Sequence, residues 1–142
     1  MKYVTYLKTI TKCPFCDGNK RRILIENDGA FLTYALAPYH KYHLLAIPKH
    51  HVESVKDLTW DENVCVMALI TTAIKALDKI GYNNCTIVMR DGQALGKSVS
   101  HVHYNIIPGG EIGDVSINAE VRKLLSKNEE KSLIIELEKI LN

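Results

Sequence analysis

Three polar side chains alternate with apolar ones in the segment His101-Val102-His103-Tyr104-Asn105. In an extended strand every second side chain lies on the same face, so His101, His103 and Asn105 would project together, about 7 Å apart. Imidazole is a good nucleophile near neutral pH, because a reference pKa of about 6.5 leaves a useful fraction unprotonated. The spacing predicts a reactive site on one face of a strand. The alternative is an exposed sheet face on which the three side chains are only solvated.

Cys13 and Cys16 have the two-residue spacing that lets two thiolates bind one tetrahedral metal. Two more ligands would be needed, and the candidates are His40, His43, His50 and His51. By count alone, a Cys₂His₂ zinc site is as well supported as a redox pair or a chance spacing. The other two cysteines, Cys65 and Cys85, are interpreted as buried small apolar residues.

Periodicity and turn signals predict the elements that must position these residues. A hairpin at 22–26 and 30–35 surrounds the turn signal Asn27-Asp28-Gly29, and three further strands are expected at 43–47, 85–89 and 99–107. A helix is expected over 60–80, begun by a Thr59–Glu62 capping box and ended at Gly81. A second helix is expected in the tail, at about 118–141. Strands joined by short connections, together with helices, predict an α+β domain.

Composition bounds the class of protein. The chain has 142 residues, of which 46% are hydrophobic and 24% charged, and its net charge is +2. These values are typical of one globular domain, here 1–142, and no basic run is dense enough for a nucleic-acid polymer. The cluster Lys20-Arg21-Arg22 is interpreted as solvated. With neither an export signal nor a membrane-spanning run, we expect a cytoplasmic protein whose cysteines bind metal or stay reduced.

Two segments of the chain resemble the motifs of the histidine triad (HIT) proteins. The first comprises Pro38, His43, Leu44, Leu45, Ile47, Pro48, Lys49 and His51, and the second comprises Gly96, Ser98, Val99, His101 and His103. The pair Cys13 and Cys16 matches the zinc-binding branch of the family. The resemblance covers about 13–108, and the helical C-terminal extension at about 118–142 lies outside it.

This resemblance implies a fold, a site and a metal. The fold would be a five-stranded antiparallel sheet with helices, normally paired as a homodimer. His103 would attack the α-phosphorus of a nucleotide with His43 beside it, while Gly96 and Ser98 would hold phosphate oxygens. The zinc ligands would be Cys13, Cys16, His51 and His101. A four-coordinate zinc away from the phosphate would be structural.

Four positions depart from the family pattern. Asn105 replaces the third histidine, where the transferase and phosphorylase branches carry the amide of Gln. An amide can donate a hydrogen bond to a phosphate oxygen but cannot shuttle a proton at neutral pH. Ala35 replaces the Asp or Asn that holds the ribose hydroxyls. Arg90 and Lys97 replace Asn and Gln, so both add positive charge beside the presumed phosphate site and favour a substrate rich in phosphate.

These observations lead to one main hypothesis and three alternatives. The main hypothesis is a hydrolase that cleaves a nucleotide, such as a dinucleoside polyphosphate, at its α-phosphate through a nucleotidyl-histidine intermediate. The alternatives are a nucleotidyl transferase or phosphorylase, a nucleotide-binding protein with little catalysis, and a structural zinc module that mediates protein contacts.

Overall fold

The computed structural model describes residues 1–16, 22–92, 99–109 and 122–142. Within them, the helices are α1 (Tyr3–Leu7), α2 (Trp60–Lys79) and α3 (Lys127–Leu141), and the strands are β1 (Ile25–Glu26), β2 (Ala30–Tyr34), β3 (Leu44–Pro48), β4 (Cys85–Val88) and β5 (Tyr104–Pro108). The strands form one antiparallel sheet in the order β1-β2-β3-β5-β4. The predicted α+β fold with a five-stranded antiparallel sheet and a C-terminal helix is confirmed.

The side chains of the sheet divide between two faces. On β2, Ala30, Leu32 and Tyr34 belong to the main core, which also contains the buried residues of α2 and α3. The alternate residue Phe31 and the following Ala35 belong to a smaller apolar cluster on the opposite face. Because both long helices cover the first face, the second face remains available for a cavity.

The helix α2 begins and ends where the sequence predicts. The Thr59 hydroxyl accepts a hydrogen bond from the backbone N–H of Glu62, and the Glu62 carboxylate accepts one from the N–H of Thr59. Gly81 follows the helix with a φ of 98°, a conformation that favours glycine. Across the residues that the structure describes, neither α2 nor another helix combines the length and apolarity needed to cross a bilayer.

The predicted strand at 99–107 is wrong in its first half, because β5 begins only at Tyr104. The residues before it form a bent segment, in which the N–H of Val102 donates to the carbonyl of Val52 at 2.9 Å. Asn105 therefore lies on a strand, whereas His101 and His103 do not, so the predicted placement of these three side chains on one face of a strand is wrong.

The tail helix is shorter than predicted. It begins after Ser126, which forms a capping box with Glu129, and residues 122–126 are not helical. Instead, this segment packs against the N-terminus: the N–H of Tyr3 donates to the carbonyl of Arg122, and the N–H of Leu124 donates to that of Met1. The N–H of Leu124 and the carbonyl of Arg122 are therefore bonded to the N-terminus rather than within a helix. The remainder of the predicted helix, 118–121, lies outside the described residues.

Two cysteines that were predicted to be buried are only partly so. Cys65 and Cys85 are half-buried at the edge of the main core, where they pack as small apolar side chains. All four cysteines lie in the described ranges, and none of them forms a disulfide.

Candidate active site and metal centre

A cavity of about 440 Å³ opens on the sheet face that the helices leave uncovered. Its lining includes His43 from the residue before β3, Asn105 from β5, and His103 from the bent segment. Leu45 pairs with Asn105 across the two central strands and also lines the cavity. The structure thus brings together the three residues that the sequence singled out for catalysis.

His103 lies at the cavity with its ring oriented by its own segment. Its Nδ1 lies 2.8 Å from the carbonyl oxygen of His101. Because a carbonyl can only accept a hydrogen bond, Nδ1 carries the proton and the lone pair of the neutral ring lies on Nε2. The ring of Phe15 packs against His103 edge-on, with the ring centroids 5.2 Å apart. This tautomer is the one that a nucleophilic Nε2 requires.

His43 and Asn105 form a buried hydrogen-bonded pair. The N–H of Tyr39 donates to His43 Nδ1 at 3.2 Å, so His43 carries its proton on Nε2 and donates it to Asn105 Oδ1 at 3.0 Å. The Asn105 amide in turn donates to the carbonyl of Val88 at 3.1 Å. Burial lowers the pKa of His43 to about 3, and the charges of nearby Arg122 and His103 act in the same direction. His43 is therefore neutral near pH 7.

The residues predicted to bind phosphate are only partly described. Arg90 lines the cavity. The next residue, Asp91, fixes this turn, because its carboxylate accepts hydrogen bonds from the Ser54 hydroxyl and the Val55 N–H, both at 2.8 Å. The other three predicted residues, Gly96, Lys97 and Ser98, lie outside the described residues.

Cys13, Cys16, His51 and His101 form a group that could hold a metal ion, with all their ligand atoms within 4.8 Å of one another. Cys16 Sγ lies 3.0 Å from His51 Nδ1 and 3.3 Å from His101 Nδ1, and Cys13 Sγ lies 3.5 Å from His101 Nδ1. A tetrahedral zinc ion sets roughly 3.3–3.8 Å between its sulfur and nitrogen ligands. The donor set therefore fits zinc, and the distances from His101 Nδ1 to the two sulfur atoms, 3.3 and 3.5 Å, lie within this range.

The environment of His101 supports the same interpretation. His101 is fully buried, and its Nε2 lies 2.7 Å from the carbonyl oxygen of Pro48. Nε2 therefore carries the proton, and Nδ1 presents its lone pair to the two thiols. Metal-binding histidines commonly donate their second ring nitrogen in this way. Phe15, which lies between the two cysteines in the sequence, contacts the rings of both His101 and His103 and so links the metal group to the cavity.

Two arginines of the cavity were not predicted as site residues. Arg22, which was interpreted as solvated, is buried and donates to the carbonyl of Tyr34 at 2.9 Å. Arg122 comes from the non-helical part of the tail and donates to the carbonyl of Ala37. The one feature of the sequence that could have indicated the burial of Arg22 is that it directly precedes the apolar run Ile23-Leu24-Ile25. No local pattern marks Arg122, because only the tertiary fold brings the tail to the cavity.

Comparison with known proteins places this geometry in a family. The model of the HIT domain matches residues 17–112, which is more than half of the chain. The chain is 33% identical over 100 residues to the adenosine 5'-monophosphoramidase of Schizosaccharomyces pombe, covering 68% of this chain and 73% of that protein. It is 30% identical over 119 residues to a bis(5'-adenosyl)-triphosphatase of Dictyostelium discoideum, covering 82% and 78%.

Similarity to solved structures supports the same fold. A Zn-bound histidine triad protein from Mycobacterium smegmatis superposes with a TM-score of 0.69 at 19% identity, over 92% of this chain and 93% of that one. The domain match and the two enzyme relatives show that the chain belongs to the histidine triad (HIT) family, two of whose motif residues, His43 and His103, line one cavity.

Proposed function

We propose that this protein hydrolyses a nucleotide at its α-phosphate through a nucleotidyl-histidine intermediate on His103. The observation that carries the proposal is the hydrogen bond from His103 Nδ1 to the carbonyl of His101, which leaves the lone pair on Nε2 at the cavity. The named activities of the two enzyme relatives, a phosphoramidase and a dinucleoside triphosphatase, agree with hydrolysis of a nucleotide.

The reaction would proceed in two displacements. Nε2 of His103 attacks the α-phosphorus, a P–N bond forms, and the bond from phosphorus to the leaving group breaks with its electron pair on the leaving group. Water then attacks the same phosphorus and gives one proton to solvent, the P–N bond breaks, and a nucleoside monophosphate leaves. The phosphoryl oxygens gain charge in each step, and Arg90 at the cavity would stabilise that charge.

The pair of His43 and Asn105 favours one type of leaving group. Neither side chain can supply a proton readily at neutral pH, because the amide does not titrate and His43 is neutral with its one N–H donated to Asn105. A phosphate leaves without protonation far more easily than an amine does. A dinucleoside polyphosphate is therefore a better substrate for this site than a nucleoside phosphoramidate.

Turnover by a matched pair of variants tests the proposal. We expect His103→Ala to lose at least about 10³-fold in kcat/KM on diadenosine triphosphate, since it removes the nucleophile. His50→Ala, which changes an exposed histidine, should keep wild-type activity. Quenching the wild-type reaction in base and analysing the intact protein by mass spectrometry should detect a nucleotidyl adduct. Full turnover by His103→Ala would overturn the mechanism.

Asn105 favours a second candidate, nucleotidyl transfer to phosphate or to another acceptor. The amide does not activate water, so the acceptor in the second displacement need not be water. The two candidates differ in their products. Turnover of diadenosine triphosphate with and without inorganic phosphate, followed by nucleotide analysis, separates them, because hydrolysis gives AMP and ADP whereas phosphorolysis gives two molecules of ADP and no AMP.

The proposed metal is a structural zinc ion. The ion would be held by Cys13, Cys16, His51 and His101. The bonds from the metal to these ligands would fix the N-terminal segment to the bent segment that carries His103. When bound, zinc in such a four-ligand site supplies cross-linking rather than Lewis-acid chemistry.

The proposed assembly is a homodimer. The edge strand β4 pairs with β5 on one side only. The helix α2 exposes an apolar stripe at helical spacing, in which Trp60 is 81% exposed and Val64 and Met67 are each about half exposed. Light scattering should give twice the chain mass, and Trp60→Glu should shift the mass toward one chain. A wild-type monomer at micromolar concentration would exclude the dimer. A cytoplasmic location stays a prediction.

A further inference from the structure

The charged side chains that line the cavity are all positive among the described residues. In the part of the chain that the structure describes, the lining contains the guanidinium groups of Arg22, Arg90 and Arg122 but no carboxylate. One arginine would suffice for the α-phosphate of the proposed reaction. The other two therefore call for a separate explanation.

Arg22 is a buried cation whose hydrogen bonding is incomplete. It is only 8% exposed, and one terminal nitrogen donates to the carbonyl of Tyr34. Its Nε is buried and has no hydrogen-bond partner among the described residues. The guanidinium carbon lies 5.2 Å from the centroid of the Tyr34 ring, so the group is fixed from two directions.

Arg122 is half-buried and lies on the wall of the cavity that the tail supplies. Its guanidinium carbon lies 4.6 Å from the Tyr3 ring centroid and 4.1 Å from that of Tyr39, so two aromatic rings hold the cation. One terminal nitrogen donates to the carbonyl of Ala37 at 2.9 Å, while Nε is buried without a partner among the described residues. The hydrogen bond from the Tyr3 N–H to the Arg122 carbonyl fixes its backbone.

Arg22 is a buried guanidinium and Arg122 is a half-buried one with a buried Nε, and placing either group out of water without a counter-ion is costly. None of the ion pairs between described residues involves Arg22 or Arg122, so no carboxylate of those residues lies within 4 Å of either group. A buried charge is tolerated when it is paired and fully hydrogen-bonded. An anion in the cavity would supply the missing acceptors, and a phosphate monoester offers the three oxygens and the charge that arginine recognises best.

The two arginines belong to the same cavity as the reacting groups. Tyr39 contacts Arg122 on one side and His43 on the other, with 5.7 Å between the Tyr39 and His43 ring centroids. Ala35 also lines the cavity and presents only a methyl group, so it offers no acceptor to a sugar hydroxyl. This region therefore suits a negatively charged substituent better than a free diol.

We propose that the substrate carries a second phosphate on its sugar, and that Arg22 and Arg122 bind this phosphate while the α-phosphate lies at His103. The inference rests on the proposed function, because it assigns the second anion to a nucleotide whose reacting phosphate is held by the same cavity. The substrate class would be nucleotides phosphorylated at the 2' or 3' position.

Binding of product analogues tests this inference without turnover. Calorimetry would compare AMP, adenosine 2',5'-bisphosphate, adenosine 3',5'-bisphosphate and an analogue of diadenosine triphosphate whose bridging oxygens are replaced by methylene groups, so that it cannot be hydrolysed. We expect one bisphosphate to bind roughly 10- to 100-fold more tightly than AMP, as one or two charge-assisted contacts allow. Arg22→Gln and Arg122→Gln should each remove most of this preference. Cooperative thermal unfolding of each variant would show that it is folded.

The control variant is Lys131→Gln, which removes an exposed charge from α3 on the opposite face of the sheet and should keep the preference. Equal affinity of the wild-type protein for AMP and both bisphosphates would overturn the inference while the proposed hydrolysis stands. The inference would also be overturned if the wild-type protein preferred only the diadenosine triphosphate analogue and both arginine variants lost that preference. By contrast, His103→Ala with full turnover would defeat the proposed function even if the bisphosphate preference were found.

Discussion

The Nε2–H of His43 donates a 3.0 Å hydrogen bond to Oδ1 of Asn105, across the two central strands of the sheet. This bond fixes the orientation of the amide, whose nitrogen then donates to Val88. It also uses the only proton of a neutral, buried imidazole. The pair therefore fixes the orientation of two side chains that line the cavity. Its hydrogen bond bears on the stability of the fold, and it occupies the proton that His43 could otherwise give to a leaving group.

The first prediction concerns this pair. Asn105→Leu keeps the approximate volume of the side chain but leaves the buried Nε2–H of His43 without its acceptor and removes the side-chain hydrogen bond to the carbonyl of Val88. We expect it to lower the free energy of unfolding by about 1–3 kcal/mol, because an unsatisfied buried group costs its full desolvation. Urea unfolding would measure the change. Asn63→Leu removes an exposed hydrogen bond to Thr59 and should cost less than about 0.5 kcal/mol. Similar losses for the two variants would contradict the argument.

The second prediction is the pH dependence of stability. The folded pKa of His43 is about 3, below the unfolded value of about 6.5, so the unfolded state binds the proton first as the pH falls. The contribution of a neutral His43 to the free energy of unfolding is thus fully present above about pH 6.5 and is lost as the pH falls toward 3. Over this range, the titration of His43 changes the free energy of unfolding by at most about 1.4 kcal/mol per pH unit.

Urea unfolding of the wild-type protein and His43→Gln between pH 4.5 and 7.5 would reveal this contribution. The difference between their unfolding free energies cancels the groups that the two proteins share. We expect this difference to shrink as the pH is lowered through 6.5. The difference between the unfolding free energies of the wild-type protein and His50→Gln should not shrink over the same range. A difference between wild type and His43→Gln that is constant with pH would show that His43 is not held neutral.

The third prediction is the effect of removing the metal. Elemental analysis of the purified protein should give about one zinc per chain, and Cys13→Ser should abolish it. A ligand present at 1,000 times its Kd stabilises a protein by about 4 kcal/mol. We therefore expect chelation to lower the melting temperature by roughly 10 °C in a chain of this size. Cys85→Ser, a cysteine outside the metal group, should retain zinc. Full zinc occupancy in Cys13→Ser would exclude the assigned ligands.

Local sequence patterns predicted the elements whose ends are marked by capping or turn residues. They failed where contacts between residues distant in the sequence determine the structure. The capping box at Thr59 and the turn after Asn27 use interactions within a few residues, so they can be recognised in the sequence. The start of β5 could not, because the 99–103 segment is shaped by partners far along the chain: Val52 for Val102 and Pro48 for His101. The period-two pattern there resembles a strand, but distant contacts override it.

The same distinction applies to the site. His43, His103 and the four metal-binding candidates could be predicted because a family motif marks them. Arg22 and Arg122 belong to no motif, and Arg122 reaches the cavity only because the tail segment pairs with the N-terminus before α3 begins. A charged residue in a polar tail is ordinarily solvated. The contact of Arg122 with the rings of Tyr3 and Tyr39 follows from long-range packing alone.

The fourth prediction concerns α3, which covers the sheet face opposite the cavity. Leu137 is fully buried in the main core, whereas Ile135 on the same helix is 55% exposed. Leu137→Ala should lower the free energy of unfolding by about 2–5 kcal/mol, since it removes buried apolar surface and leaves a cavity. Ile135→Ala should change it by less than about 0.5 kcal/mol. Because α3 lies away from His103, Leu137→Ala should keep its affinity for AMP below its melting temperature. Equal destabilisation by the two variants would mean that α3 does not pack on the sheet as described.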